Sequence, residues 1–161
     1  MTTVYIGIGG NLAQPLETVK SAIQALMQLP NSTWIGVSSF YRSKPMGPQD
    51  QPDYINAVAQ IDTHEQPLTL LDQLQHIEQQ HGRVRKDERW GARSLDLDIL
   101  LFGEQQIAHP RLTVPHYGMR EREFVLYPLH ELQPNLILSD GVSLQQLLQQ
   151  VPANGIEKLT I

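Results

Sequence analysis

The chain has 161 residues, a net charge of −5 and 40% hydrophobic residues, enough to bury one substantial core and too apolar for a disordered chain. It contains no cysteine, which excludes disulfides, thiolate catalysis and thiolate metal sites. The acidic balance argues against a general binder of nucleic acid or anionic membrane, and no apolar stretch approaches the ~18 residues that span a bilayer.

Val4, Ile6 and Ile8 alternate into a first strand, which Gly9-Gly10-Asn11 is expected to stop with a tight turn. Pro15 suits a first helical turn, and Leu16, Val19, Ile23, Leu26 and Met27 recur at helical spacing as far as Pro30. Residues 33–42 are β-like, carrying Trp34, Ile35, Val37, Phe40 and Tyr41. Residues 43–53 hold Pro45, Pro48 and Pro52, too many missing N–H donors for regular structure. Residues 54–63 form another strand, with Ile55, Ala57, Ala59 and Ile61 on one face and Val58 on the other. A second helix starts at Pro67, carries Leu70, Leu71, Leu74 and Ile77, and ends near Gly82. A strand follows over residues 95–102. Residues 124–132 and 144–151 read as short helices, and residues 157–161 as an edge strand. The order β-α-β-β-α-β is the split βαβ arrangement. It predicts one domain over residues 1–161 with a ferredoxin-like α+β fold, its helices on one face of an antiparallel sheet. Two long loops, residues 43–53 and 82–93, are the expected seats of function.

The strand at residues 95–102 carries the most chemical information. Leu95, Leu97 and Ile99 alternate with Asp96 and Asp98, so the two carboxylates point to one face. Read alone, they are either the solvated face of an edge strand or the oxygen ligands of a hard cation. The surroundings favour the cation. Of the chain's twelve lysines and arginines, Arg83, Arg85, Lys86, Arg89, Arg93, Arg111, Arg120 and Arg122 lie within one quarter of its length. An acidic protein that concentrates its cations so has one anion-binding place, and carboxylates beside arginines suit a Mg-bound polyphosphate. His116, flanked by Arg111 and Arg122, becomes a candidate phosphate donor. Trp90 sits in an arginine-rich, glycine-flanked loop, better placed to cover a ring or close a lid than to fill a core. Asn56 has an amide that can read the donor and acceptor edge of a heterocycle. Gly7-Ile8-Gly9-Gly10 lacks the third glycine of a dinucleotide fingerprint, and the chain has no P-loop. None of the six histidines falls in a zinc-binding pattern.

Residues 89–100, Arg-Trp-Gly-Ala-Arg-Ser-Leu-Asp-Leu-Asp-Ile-Leu, resemble the signature of the 6-hydroxymethyl-7,8-dihydropterin pyrophosphokinases of folate biosynthesis. The likeness extends through Gly9-x-Asn11-Leu12, Ser39-Phe40-Tyr41-Arg42, the run from Gly47 to Asn56, Gly82-Arg83-Val84-Arg85, and Arg111-Leu112-x-Val114-Pro115-His116. Several segments in the right order are far more specific than one motif. That family is ferredoxin-like in fold. The resemblance implies transfer of pyrophosphate from ATP to the pterin hydroxymethyl group, with AMP as the second product. It implies two Mg ions held by Asp96 and Asp98, and phosphates held by Arg83, Arg85, Arg93, His116, Tyr117 and Arg122. Gln75, Arg111 and Thr113 match ATP-side positions, with Ile99 against adenine. Tyr54 and Phe124 would sandwich the pterin and Asn56 would bind its edge, while Ser43, Met46 and Trp90 complete that side. The expected protein is a cytoplasmic monomer acting on two small molecules, with neither nucleic acid nor membrane as partner. A ferredoxin-like RNA-binding module would instead carry aromatic residues and positive charge on its sheet. A two-metal nuclease would need a groove for polymer and further carboxylates.

Overall fold

A computed structural model of the protein describes residues 1–10, 15–44, 53–81, 95–116, 118–153 and 155–159. Its elements run β1 (Thr2–Gly10), α1 (Pro15–Leu26), β2 (Ser32–Val37), β3 (Tyr41–Ser43), β4 (Tyr54–Thr63), α2 (Pro67–Gln80) and β5 (Asp96–Phe102). A short hairpin follows, β6 (Ile107–His109) and β7 (Leu112–Val114), then a 3₁₀ turn at Met119–Glu121. The chain continues with α3 (Glu123–Leu132), α4 (Leu144–Gln150) and β8 (Ile156–Lys158). The main sheet has the order β5-β1-β4-β3-β8, with β2 also paired to β4, and the strand pairings are antiparallel. With β2 and β3 taken as one interrupted strand, this is the split βαβ order that the sequence predicts.

The alternation of β1 decides how the layers form. Val4, Ile6 and Ile8 join Ala59, Ile61, Leu97 and Ile99 on one face, where α1 and α2 bury Val19, Ala22, Ile23, Leu26, Leu70, Leu74 and Ile77 against them. Tyr5 points the other way, with Val58, Leu100 and Leu101. That second face is also covered: α3 lays Val125, Leu126 and Leu129 on it, and α4 adds Leu144 and Leu147. The helices therefore occupy both faces rather than one. Element order alone does not say which face a C-terminal helix chooses; the apolar Tyr5, Val58 and Leu101 select it. Leu74 is fully buried at the α2–sheet contact. Its replacement by alanine is expected to cost about 2–5 kcal/mol, the usual loss for a buried leucine that leaves a cavity. Denaturant unfolding measures this, and a midpoint unchanged from the parent would contradict the packing.

Three local features differ from the sequence reading. Gly9 and Gly10 do not turn; β1 runs through them, pairing Gly9 with both Asn56 and Asp96. A central strand has ladder partners on both sides, which hold glycines extended despite their freedom. The predicted strand at 33–42 breaks into β2 and β3, because Ser38 exchanges its backbone with Val58: its N–H donates to the Val58 carbonyl at 2.9 Å and its Oγ accepts the Val58 N–H at 2.9 Å. The last strand ends at Lys158. Register slips on both flanks of the sheet as well. Tyr5 pairs with Leu101 but Ile6 with Ile99, leaving Leu100 as a bulge in β5, and Ile35 is the corresponding extra residue in β2.

The Leu100 bulge has a partner outside the sheet. After the β6–β7 hairpin and a cis Val114–Pro115 bond, the His116 N–H donates to the Leu100 carbonyl at 3.0 Å. The chain is thereby fastened along the outer side of β5. Among the described residues no helix is long and apolar enough to cross a membrane.

Candidate active site

Gly7 and Gly9 of β1, Asn56 and Val58 of β4, and Asp96, Asp98 and Leu100 of β5 all line one cleft, on the face opposite α1 and α2. The two glycines form its floor. A Cβ on Gly9 would stand 3.1 Å from Asn56 Oδ1, so a side chain there would crowd the amide that faces the cleft. The walls come from three other places: Ser43 and Lys44 at the end of β3, Tyr54 at the start of β4, and Arg122, Phe124 and Val125 at the start of α3. The Asn56 Nδ2 donates to Ser43 Oγ at 2.7 Å, and both residues are buried. That bond fixes which way the amide is turned. Arg122 lies across the Phe124 ring, its guanidinium carbon 5.8 Å from the ring centre, within the range of a cation–π contact. Gly118 makes this possible, since a Cβ there would stand 2.6 Å from the same guanidinium.

The carboxylates are set by backbone. Leu97, between Asp96 and Asp98, is buried toward α2, and its N–H donates to the Glu78 Oε2 at 2.8 Å. Glu78 is itself buried, so a carboxylate from α2 holds the strand at the point where both aspartates leave it. Asp98 keeps about half of its side chain exposed. Among the described residues no group of three or more histidine, cysteine, aspartate or glutamate side chains could hold a metal ion. Two oxygen ligands alone suit Mg, which binds through one or two carboxylates and takes its other ligands from phosphate and water. They do not suit zinc, which wants three or four nitrogen or sulfur ligands.

His116 stands next to this pair, Nε2 4.0 Å from Asp98 Oδ1. Burial pushes its pKa below the ordinary histidine value; the Asp98 charge opposes this, and the Arg122 charge adds to the lowering. The imidazole is therefore neutral at neutral pH. Its Nδ1 accepts the Gly118 N–H at 3.2 Å, which leaves the proton on Nε2, facing Asp98 and the cleft.

A second cleft opens on the other side of Asp98 and His116. It is lined by Leu71, Gln75 and Glu78 of α2, by Leu97 and Ile99, and by the hairpin residues Pro110, Arg111, Leu112 and Thr113. Arg111 bonds to Asp72 and to Gln75 Oε1. It is a cation lining a cleft that also reaches Asp98 and His116. Asp98 and His116 belong to both clefts, so whatever occupies one reaches what occupies the other across them.

Residues 5–134 match the family described as 7,8-dihydro-6-hydroxymethylpterin-pyrophosphokinase. Over 156 residues the chain is 54% identical to the 2-amino-4-hydroxy-6-hydroxymethyldihydropteridine pyrophosphokinase of Pseudomonas aeruginosa, covering 97% of this chain and 96% of that protein. The chain belongs to this pyrophosphokinase family. A protein of the same name from Haemophilus influenzae is 51% identical over 159 residues, 99% of each chain. Among solved structures, an HPPK-DHPS in complex with substrates superposes with a TM-score of 0.75 at 12% identity, and Plasmodium falciparum HPPK-DHPS with 0.74 at 12%. Those two cover all of this chain and about half of theirs (49% and 48%), and at such identity they speak for the fold.

Most residues expected from the pyrophosphokinase resemblance gather around the two clefts. Ser43, Tyr54, Asn56, Phe124, Asp96, Asp98, His116 and Arg122 line the first; Gln75, Ile99, Arg111, Thr113, Asp98 and His116 line the second. Met46, Arg83, Arg85, Trp90, Arg93 and Tyr117 lie outside the described residues. Gly9, expected to end β1 in a tight turn, lies instead within the strand in register with Asn56, where with Gly7 it lines the cleft. The sequence reading missed Asp72 and Gln75 as the residues that orient Arg111. In this pyrophosphokinase the Arg111→Ala variant is expected to weaken ATP binding about 5- to 20-fold, the range for one exposed charge-assisted contact. Dihydropterin binding should change by less than twofold. Isothermal titration with each ligand checks both, and an equal loss for the two would remove Arg111 from the ATP side.

Proposed function

We propose that the protein transfers the pyrophosphoryl group of ATP to 6-hydroxymethyl-7,8-dihydropterin, giving the pterin diphosphate and AMP, as a step of folate synthesis. The observation that carries this reading is the meeting of two clefts at Asp98 and His116, one with a carboxamide and aromatic walls, the other with an arginine in its lining. The pterin occupies the first cleft. Tyr54 and Phe124 flank its ring, Asn56 pairs with its polar edge, and Ser43, Met46 and Trp90 complete the enclosure. ATP occupies the second, with Ile99 against adenine, Gln75, Arg111 and Thr113 beside the nucleoside, and its phosphates extending past Asp98. Arg83, Arg85, Trp90, Arg93, His116, Tyr117 and Arg122 hold the phosphates.

The hydroxymethyl oxygen forms its bond to the β-phosphorus as the bond from that phosphorus to the α-phosphate oxygen breaks, so AMP leaves. Such a transfer needs positioning and charge neutralisation more than covalent chemistry. Asp96 and Asp98 are the residues that would hold two Mg ions; when bound, these supply charge neutralisation on the phosphates and acidify the attacking hydroxyl. His116, neutral with its proton on Nε2, is a donor to a phosphate oxygen rather than a base. Arg122 brings positive charge to the same place while its face packs on Phe124. The single domain works as a cytoplasmic monomer on small molecules, without nucleic acid or membrane.

The test is product analysis after mixing the purified protein with Mg-ATP and the dihydropterin. Equal amounts of AMP and pterin diphosphate are expected. ADP would mean transfer of the γ-phosphoryl group instead, and turnover independent of the pterin would overturn the reading.

A further inference from the structure

Glu131, on the last turn of α3, is far along the helix from the clefts and lines neither, yet it collects more hydrogen bonds than any role in helix stability requires. Its Oε2 accepts the Ser39 N–H at 2.7 Å and the Ser39 hydroxyl at 3.0 Å. Its Oε1 accepts the Tyr41 hydroxyl at 2.7 Å, with Lys158 Nζ at 3.7 Å. Burial alone would raise the carboxyl pKa; the bonds from Tyr41 and Ser39 and the Lys158 charge outweigh it and hold the group ionised, below the usual glutamate value. The Tyr41 phenol is pushed up in turn, by burial and by the bond to Glu131, so it stays a donor at any working pH. All three donors come from the stretch at which β2 breaks and β3 begins.

β3 needs such an anchor. It has three residues, and its pairing with β4 places Tyr41 against Asn56 and Ser43 against Tyr54. Its outer neighbour, β8, is equally short. Ser43 is the residue whose Oγ receives the Asn56 amide at 2.7 Å, and so the residue that decides which way the amide is turned. The same α3 that carries Glu131 at one end presents Phe124 to the cleft at the other. One helix therefore sets both walls: Phe124 directly, and Ser43 through the Glu131–Tyr41 bond.

We infer that Glu131 is a positioning residue for the heterocycle cleft, holding β3 so that Ser43 keeps the Asn56 amide in its reading orientation. This rests on the first cleft being the pterin cleft. Glu131→Ala is expected to raise the KM for the dihydropterin about tenfold, a coupling of ordinary size through a shared hydrogen-bond network. KM for ATP and the Mg dependence should stay within twofold. In a Ser43→Ala background the same substitution should change pterin KM by less than twofold, because the link it acts through is already cut. Equal changes in both KM values, or a full tenfold effect in the Ser43→Ala background, would make Glu131 a general structural residue and overturn the inference. Should Glu131→Ala fail to fold, Tyr41→Phe removes one donor and keeps the buried ring. It should raise pterin KM a few-fold with ATP KM unchanged, and no change in pterin KM would overturn the inference as well. Direct titration of the unaltered protein with the dihydropterin separates the two levels. No binding there defeats the cleft assignment itself, whereas normal binding with an inert Glu131→Ala defeats the inference alone.

Discussion

Asp98→Ala is expected to lower kcat by at least ~10³-fold, the loss typical when a preorganised electrostatic group is taken from a transition state. The reason lies in its position. Asp98 lies at the junction of the two clefts, faces the same side as Asp96, and has His116 Nε2 at 4.0 Å. On the proposed reading that Asp96 and Asp98 hold the Mg ions, removal of one halves the protein's share of their ligands, and among the described residues no larger group of histidine, cysteine, aspartate or glutamate side chains could hold a metal in its place. The variant should fold, because Asp98 is half exposed and its backbone ladder to Gly7 is unaffected by the side chain. Single-turnover assays with saturating Mg-ATP and pterin measure the effect, with circular dichroism as the control for folding. A loss under tenfold would take Asp98 out of the chemistry.

Asn56→Leu is expected to weaken dihydropterin binding by ~10²-fold or more and to leave ATP binding within twofold. A site built to hydrogen-bond a ligand discriminates strongly once its polar group is lost, since the ligand's own polar edge is then buried without a partner. Asn56 is buried in the cleft with its amide clamped by Ser43, and leucine keeps its branching at Cγ while removing every side-chain donor and acceptor. The Ser43 hydroxyl would lose its donor too, which adds to the penalty. Fluorescence titration with the pterin and calorimetry with an ATP analogue separate the two ligands. Parallel weakening of both would place Asn56 in the scaffold rather than at the heterocycle.

These two residues also show what could be read before folding. The pairing of Asp96 and Asp98 on one face follows from alternation, and so does the burial of Leu97 and Ile99, which alternate with them. The split βαβ order followed from the sequence of strand and helix periods. What periodicity could not show is relation at a distance. Gly9 and Gly10 read as turn formers because glycine is a weak strand former, and only pairing to β4, and for Gly9 to β5 as well, keeps them extended. The hairpin of β6 and β7 went unseen because strands of three residues are shorter than any reliable pattern. The choice of the second face by α3 and α4 depends on side chains contributed by three different strands. At the site, family resemblance supplied the residue names, while Asp72 and Glu131 emerged only from hydrogen bonds spanning 39 and 92 positions.

The slip at Ile35 has a bearing on how the protein behaves in concentrated solution. Among the described residues β2 is paired only with β4, which leaves its outer row of N–H and C=O groups as a template on which another chain could add a strand. The extra residue locally twists that row away from the flat geometry such addition needs, and turns Ile35 outward, half exposed. On the same flank, outside β3, β8 is three residues long and carries Glu157 and Lys158, charges that a growing stack would have to desolvate. Along this one margin, an irregularity in β2 and charge on β8 both oppose the addition of a further strand.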